Sequence, residues 1–292
     1  MPRLTTTVTL RPDDSIDLHM HTTYSDGRWP AQQVIDFLAK EKFDLIAVTD
    51  HDRVDKVAEI QALGAARNLF VLSGVEMSTE WNGPVGNGRM GDMLCYGFDP
   101  ENNELAPLTA RIEQRKLENT YEINENLRRM GYDFPRQEEL LAANGGKLRY
   151  QMDNAMLLRE HGYVPSWQAG IQKVKEAGFY SVRTDMAETV EAVHRSGGVC
   201  LIAHPGRRES GFTFYDTALL DQLRAEIPID GIEMYHPYHS QEMVKTYVAY
   251  VEEHQLLGTT GSDSHCIPGR MPIKHRAAIS RRFLDRVGVH VE

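Results

Sequence analysis

A chain of 292 residues is long enough to bury a substantial core, as one large domain or as a domain carrying an insertion. Its formal net charge of -10 argues against the basic stripe of a nucleic-acid-binding surface, though not against a small phosphorylated substrate beside bound metal ions. Cys95, Cys200 and Cys266 have no Cys-x-x-Cys spacing and point to a reducing compartment; residues 1–14 lack a signal-peptide core and no long apolar run occurs, which predicts a soluble, cytoplasmic protein without a membrane partner.

The stretch Asp17-Leu18-His19-Met20-His21 reads as the end of a buried strand. Residues two apart on a strand point the same way, so Ile16 and Leu18 face one side, and Asp17, His19 and His21 face the other. Two imidazoles can then converge on one ion. A polar loop with Ser25-Asp26-Gly27 follows, Pro30 sits where a helix can start, and Val34, Ile35, Phe37 and Leu38 supply that helix's apolar face. The apolar run 45–49 predicts a second strand that delivers Asp50-His51-Asp52. Helical spacing over 54–67 leads to a third strand, 69–74, ending in Val75-Glu76. The glycines of 82–91 lack the spacing of a phosphate loop and predict a flexible turn, after which 93–98 predicts a fourth strand with Asp92 at its start.

From 105 to 178 strand signals vanish and helical periodicity runs through 105–130, 137–143, 153–161 and 166–177. A helical insertion between two parts of one α/β domain, 15–104 and 179–292, is the organisation this predicts. The charges Arg111, Glu113, Arg115, Lys116 and Glu118 read as a solvated helix face, and Arg149 is a candidate substrate contact. Alternation resumes with a helix over 186–195. A strand over 198–203 ends in His204-Pro205-Gly206-Arg207, one over 231–234 leads to His236 and His239, and one over 257–260 leads to Gly261-Ser262-Asp263-Ser264-His265.

Alternating apolar strands and helices predict a mainly parallel sheet whose C-terminal strand ends form one rim. His19, His21, Asp26, His51, Glu76, His204, Asp263 and His265 all fall on that rim. They are imidazole and carboxylate donors without thiolate, a set that suits manganese, iron or zinc at a catalytic site, and more donors than one ion needs imply more than one ion. Glu76 offers two oxygens and is suited to bridge. His194, His254, His275 and His290 read as ordinary histidines.

These motifs, in this order and spacing, resemble the PHP (polymerase and histidinol phosphatase) family of metal-dependent phosphoesterases, and most closely its small-molecule and nucleotide phosphoesterase subgroup. The resemblance implies a distorted seven-stranded βα barrel with a helical insertion and two or three divalent ions. By motif, His19, His21, Glu76 and Asp263 would hold one ion, Glu76 and His204 a second, and Asp26, His51 and His265 a third, with Asp50 fixing the His51 tautomer. Asp92 stands where many relatives have a further histidine ligand and would favour a hard ion such as manganese. Relatives that cleave nucleoside bisphosphates are expected to place an Arg and a Lys where Gln151 and Gly178 stand here, with Arg149 and Arg183 nearby.

The chemistry implied is hydrolysis of phosphate esters of small molecules, nucleotide-like or phosphorylated ribose, the resemblance admitting both monoesters and cyclic diesters, by a metal-bridging hydroxide. Arg207 would bind phosphate oxygens, His239 would hydrogen-bond the phosphate or protonate the leaving oxygen, His236 is a second candidate for that role, and Arg208 reads as a solvated charge. Alternatives are a 5'-3' exonuclease or nucleoside bisphosphate phosphatase, an amidohydrolase, and a non-catalytic metal-binding module. The acidic charge and the lack of an aromatic–basic platform weigh against nucleic acid.

Overall fold

The computed structural model describes residues 8–208 and 211–292. The chain is a mixed α/β protein and divides into two compact units, Met1–Thr109 with Thr184–Glu292, and Ala110–Arg183. In the first unit the strands are β1 (Val8–Leu10), β2 (Ser15–Asp17), β3 (Leu45–Ala47), β4 (Phe70–Leu72), β5 (Gly74–Trp81), β6 (Arg89–Tyr96), β7 (Thr184–Asp185), β8 (Val199–Ile202), β9 (Gly231–Tyr235), β10 (Leu257–Thr260), β11 (His275–Arg276) and β12 (Val289–Val291). They form a four-stranded sheet in the order β11-β2-β3-β4, a six-stranded sheet in the order β10-β9-β8-β6-β5-β7, and the pair β1-β12.

Strands β2, β3 and β4 run parallel, and the apolar runs of β3 and β4 are largely buried. Leu18, Leu45, Leu72, Leu94, Tyr96, Leu201, Leu257 and Phe283, drawn from both large sheets and the C-terminal helix, share one apolar core. Helix α1 (Ala31–Lys40) starts after Pro30 and covers β3 and β4 with Val34, Ile35 and Leu38, which pack with Ile46 and Val71. Phe37 turns partly outward and meets Trp29 edge-on at 5.5 Å.

The strand pattern departs from expectation in one place that matters. The third apolar run is broken at Ser73 and continues as the long β5 to Trp81, while β6 begins at Arg89 and pairs antiparallel with both β5 and β8. A long-stranded hairpin, closed by the loop 82–88, therefore interrupts the parallel order. Gly91, read as part of a turn, is paired with Thr79 inside it. Glu76 and Asp92 thus lie inside strands rather than at a strand end and a strand start. Burial patterns report which face is covered, and a strand covered on both faces carries no periodic sign of its direction.

In the second unit, Ile123, Leu127, Phe134, Leu157, Leu158 and Val174 form a helical core. Among the described residues no helix is long and apolar enough to cross a membrane.

Candidate metal centre

His19 and His21 follow β2 directly, and Asp17, Leu18, Met20 and both histidines are fully buried. Their backbone is held between two neighbours: His21 N–H donates to Ser264 O at 2.8 Å, and Thr49 N–H donates to Met20 O at 2.8 Å. Isolated parallel bridges pair Met20 with Ser264 and His51 with Glu76. Residues from six separate stretches of chain are brought to one place in this way.

Three groups of donor atoms result, in each of which the atoms lie within 4.8 Å of one another: His19, His21, Glu76 and Asp263; Glu76, Asp92 and His204; and His21, Asp26 and His265. Glu76 divides its oxygens between the first two. Its Oε2 lies 3.0 Å from His19 Nε2 and 3.1 Å from His21 Nε2, and its Oε1 lies 2.9 Å from His204 Nε2. Asp92 Oδ2 stands 3.8 Å from the same His204 nitrogen. His21 likewise serves two groups, because its Nδ1 faces Asp26 Oδ1 at 3.8 Å, and His265 Nε2 lies 3.0 Å from Asp26 Oδ2. His51 is not in the third group; it stacks on His21 at 4.7 Å and points Nε2 towards Glu76 Oε2 at 3.5 Å.

The donor set fits divalent cations. Nδ1 of His21 and Nδ1 of His51 are buried with no hydrogen-bond partner, as metal-ligating or proton-binding nitrogens can be and structural ones rarely are. Burial alone would lower the His21 pKa, yet hydrogen bonds to Asp263 and Glu76 outweigh it and push the value up to about 10. Burial alone would raise Glu76 and Asp263, yet His19 and His51 around the first, and His21 and His236 around the second, hold both well below the usual carboxylate range. The cluster stabilises positive charge, and a metal ion there competes with protons for the same nitrogens. His204 and Asp263 have φ of 30° and 48°, left-handed values that non-glycine residues adopt at a cost and that cluster at functional sites.

Around the donors, several residues fix orientation. Asp263 Oδ2 accepts from Arg270 Nη2 at 2.6 Å and lies 3.3 Å from His236 Nε2, while Oδ1 faces His21 and His19. The carboxylate is therefore anchored by one oxygen and presents the other. Asp50 accepts from Thr22 N–H at 2.7 Å and from Ser25 Oγ at 2.6 Å, so it secures the loop after His21 instead of the His51 ring. Glu233 and Arg270 carry no motif signal. The one legible hint was a carboxylate inside the apolar run of β9.

His239 is placed otherwise than expected. Its Nδ1 donates to Met234 O of β9 at 3.0 Å and its Nε2 accepts from Gly206 N–H at 3.0 Å, so the ring links β9 to the 204–207 turn. His236, the weaker sequence candidate, is the one that reaches Asp263; its Nδ1 accepts from Tyr238 N–H at 3.1 Å, which leaves the proton on Nε2. Arg207 Nη1 is 4.0 Å from Asp263 Oδ2, and its guanidinium lies 3.9 Å above the Phe212 ring and 5.5 Å from the Tyr238 ring. Arg208 lies 3.8 Å over Phe214. Arg149 belongs to the helical unit, where its backbone N–H donates to Asp153 and its side chain is exposed; Gln151 there donates to Asn119 Oδ1 at 2.6 Å.

The PHP domain model matches residues 17–204, and the chain belongs to that family. It is 28% identical over 267 residues to the 3',5'-nucleoside bisphosphate phosphatase of Chromobacterium violaceum, spanning 87% of this chain and 88% of that one. The phosphoribosyl 1,2-cyclic phosphate 1,2-diphosphodiesterase of Eggerthella lenta is 27% identical, over 88% of this chain and 96% of its own. A 5'-3' exoribonuclease of Haemophilus influenzae is 24% identical, over 85% of this chain and 89% of its own. The fold matches a solved structure from Bifidobacterium adolescentis assigned to the metal-dependent phosphoesterases, with a TM-score of 0.74 and 23% identity over 95% of this chain and 98% of that one.

Proposed function

We propose that this enzyme hydrolyses phosphate esters of small molecules, nucleotide-like or phosphorylated ribose, at a centre of two or three divalent ions, manganese foremost with iron or zinc as the other candidates. The class is metal-dependent phosphoesterase, in keeping with PHP membership and with relatives named as phosphatase, phosphodiesterase and exoribonuclease. The observation that carries the reading is Glu76, whose two oxygens face two donor groups at once. A distorted seven-stranded barrel is the scaffold we infer: β4 and β5 act as one bent strand, and the seam between β10 and β2 runs through Leu18 N–H to Thr260 O at 3.2 Å and the Met20–Ser264 bridge.

Bound divalent ions supply Lewis-acid stabilisation of the phosphoryl oxygens and lower the pKa of water towards neutrality. His19, His21, Glu76, Asp92, His204 and Asp263 would hold the inner ions, with Asp26, His265 and His51 at the outer, more exposed end. Arg207, held over the Phe212 ring and near the Tyr238 ring beside Asp263, would bind two phosphate oxygens through its guanidinium fork. His236 carries its proton on Nε2, where it faces Asp263, and stands beside His239 as a candidate donor to a leaving oxygen. His239 also acts on the 204–207 turn.

A second reading, cleavage of short oligoribonucleotides, is favoured by one feature that the sequence pattern does not advertise. Arg207, Phe212 and Tyr238, with Arg208 on Phe214, make a small aromatic–basic patch, and Tyr238 is 47% exposed. Phosphate release with manganese from nucleotides, nucleoside bisphosphates, cyclic phosphates and sugar phosphates tests the first reading. Turnover confined to a few small esters supports it. Inactivity on all of them with salt-sensitive trimming of oligoribonucleotides replaces it with the second.

A further inference from the structure

We propose that Glu233 is a positioning residue that ties two of the donor groups together, an inference that rests on the metal centre proposed above. Glu233 sits mid-strand in β9 between Ile232 and Met234 and is fully buried. A buried carboxylate is costly unless its oxygens are specifically paired. Both are: Oε1 lies 3.0 Å from His19 Nδ1, and Oε2 accepts the backbone N–H of His204 at 2.8 Å.

The first contact fixes a proton on His19 Nδ1 and turns Nε2 to Glu76 Oε2 at 3.0 Å and Asp263 Oδ1 at 3.6 Å, as the ring nitrogen that a cation in this group would engage in place of a proton. The second holds the backbone of His204 in its left-handed conformation, with φ of 30°, so that Nε2 meets Glu76 Oε1. His19 belongs to one donor group and His204 to another. One side chain thus aims a ligand into each. The space it needs is kept by Gly261, where a Cβ would come within 2.9 Å of Glu233 Oε1 and 2.2 Å of His19 Cβ.

Glu233→Gln keeps size and burial but offers one acceptor for two N–H donors. If the amide NH2 faces His19, the ring must carry its proton on Nε2 and cannot ligate there; if it faces His204, the turn is pushed away. The test is a manganese binding isotherm by equilibrium dialysis, with Co²⁺ absorption as a second probe, on wild type, Glu233→Gln and the shorter carboxylate Glu233→Asp. Thermal unfolding of the metal-free proteins serves as the control for folding. We expect roughly ten- to hundredfold weaker binding and an altered Co²⁺ spectrum in both variants, with Glu233→Asp melting near wild type. Wild-type affinity and spectrum in a folded Glu233→Gln or Glu233→Asp protein overturn the role of Glu233 while leaving the metal centre standing. A wild type that binds neither ion overturns the metal centre itself.

Discussion

The two units bury polar groups in different ways. In the helical unit the buried polar side chains are neutral and mutually satisfied: Asn154 accepts from Asn124 Nδ2 at 2.9 Å and donates to Thr120 O at 3.0 Å, and Asn119 accepts from Gln151 while donating to Gly178 O. At the donor cluster of the first unit the groups are ionisable, crowd their donor atoms towards one another, and leave Nδ1 of His21 and of His51 without a hydrogen-bond partner. Closed networks of amides stabilise a fold. Open clusters of imidazole and carboxylate are arranged to hold positive charge, as protons or as metal ions.

That contrast can be broken most severely at Glu76. Glu76→Gln should remove about 4 kcal/mol of transition-state stabilisation, roughly a thousandfold in kcat/KM, and lower metal stoichiometry, because one amide oxygen cannot serve two groups. Retention of both by steady-state kinetics and metal analysis would remove the central support for a shared carboxylate. Asn154→Ala should behave in the opposite way. It strands Asn124 and Thr120 and should cost about 1–3 kcal/mol in urea unfolding, with metal content unchanged; loss of metal would show that the two kinds of burial are not independent.

The smallest effect concerns pH in the chelated protein. The folded pKa of His21 is raised from 6.5 to about 10, so its contribution is complete below 6.5 and is lost as pH rises through about 10. Glu76 and Asp263 are depressed from 4.5 and 3.8, so theirs is present above those values and is lost as pH falls through the lower folded ones. The metal-free melting temperature should therefore peak between about 4.5 and 6.5 and fall on both sides. A melting temperature that stays constant from about pH 3 to about pH 10 would mean that the cluster's charges are not coupled to folding.

Much of the donor set was legible in the chain itself. Donor types and strand-end placement name His19, His21, Asp26, Glu76, His204, Asp263 and His265, the family resemblance implies how they group, and the apolar spacing of Val34, Ile35 and Leu38 marks the buried side of α1. Local pattern reports residue chemistry and burial, which are properties of a few neighbouring positions. Tertiary structure alone decided the rest. The β5–β6 hairpin turns Asp92 inward from an antiparallel strand, His21 takes its place in a second donor group, and His239 is spent on the Gly206 N–H while His236 reaches Asp263. Glu233 meets His19 across 214 positions of sequence. Such contacts depend on which strand lies beside which, in what direction and register, and chain closure sets those relations where no local periodicity records them.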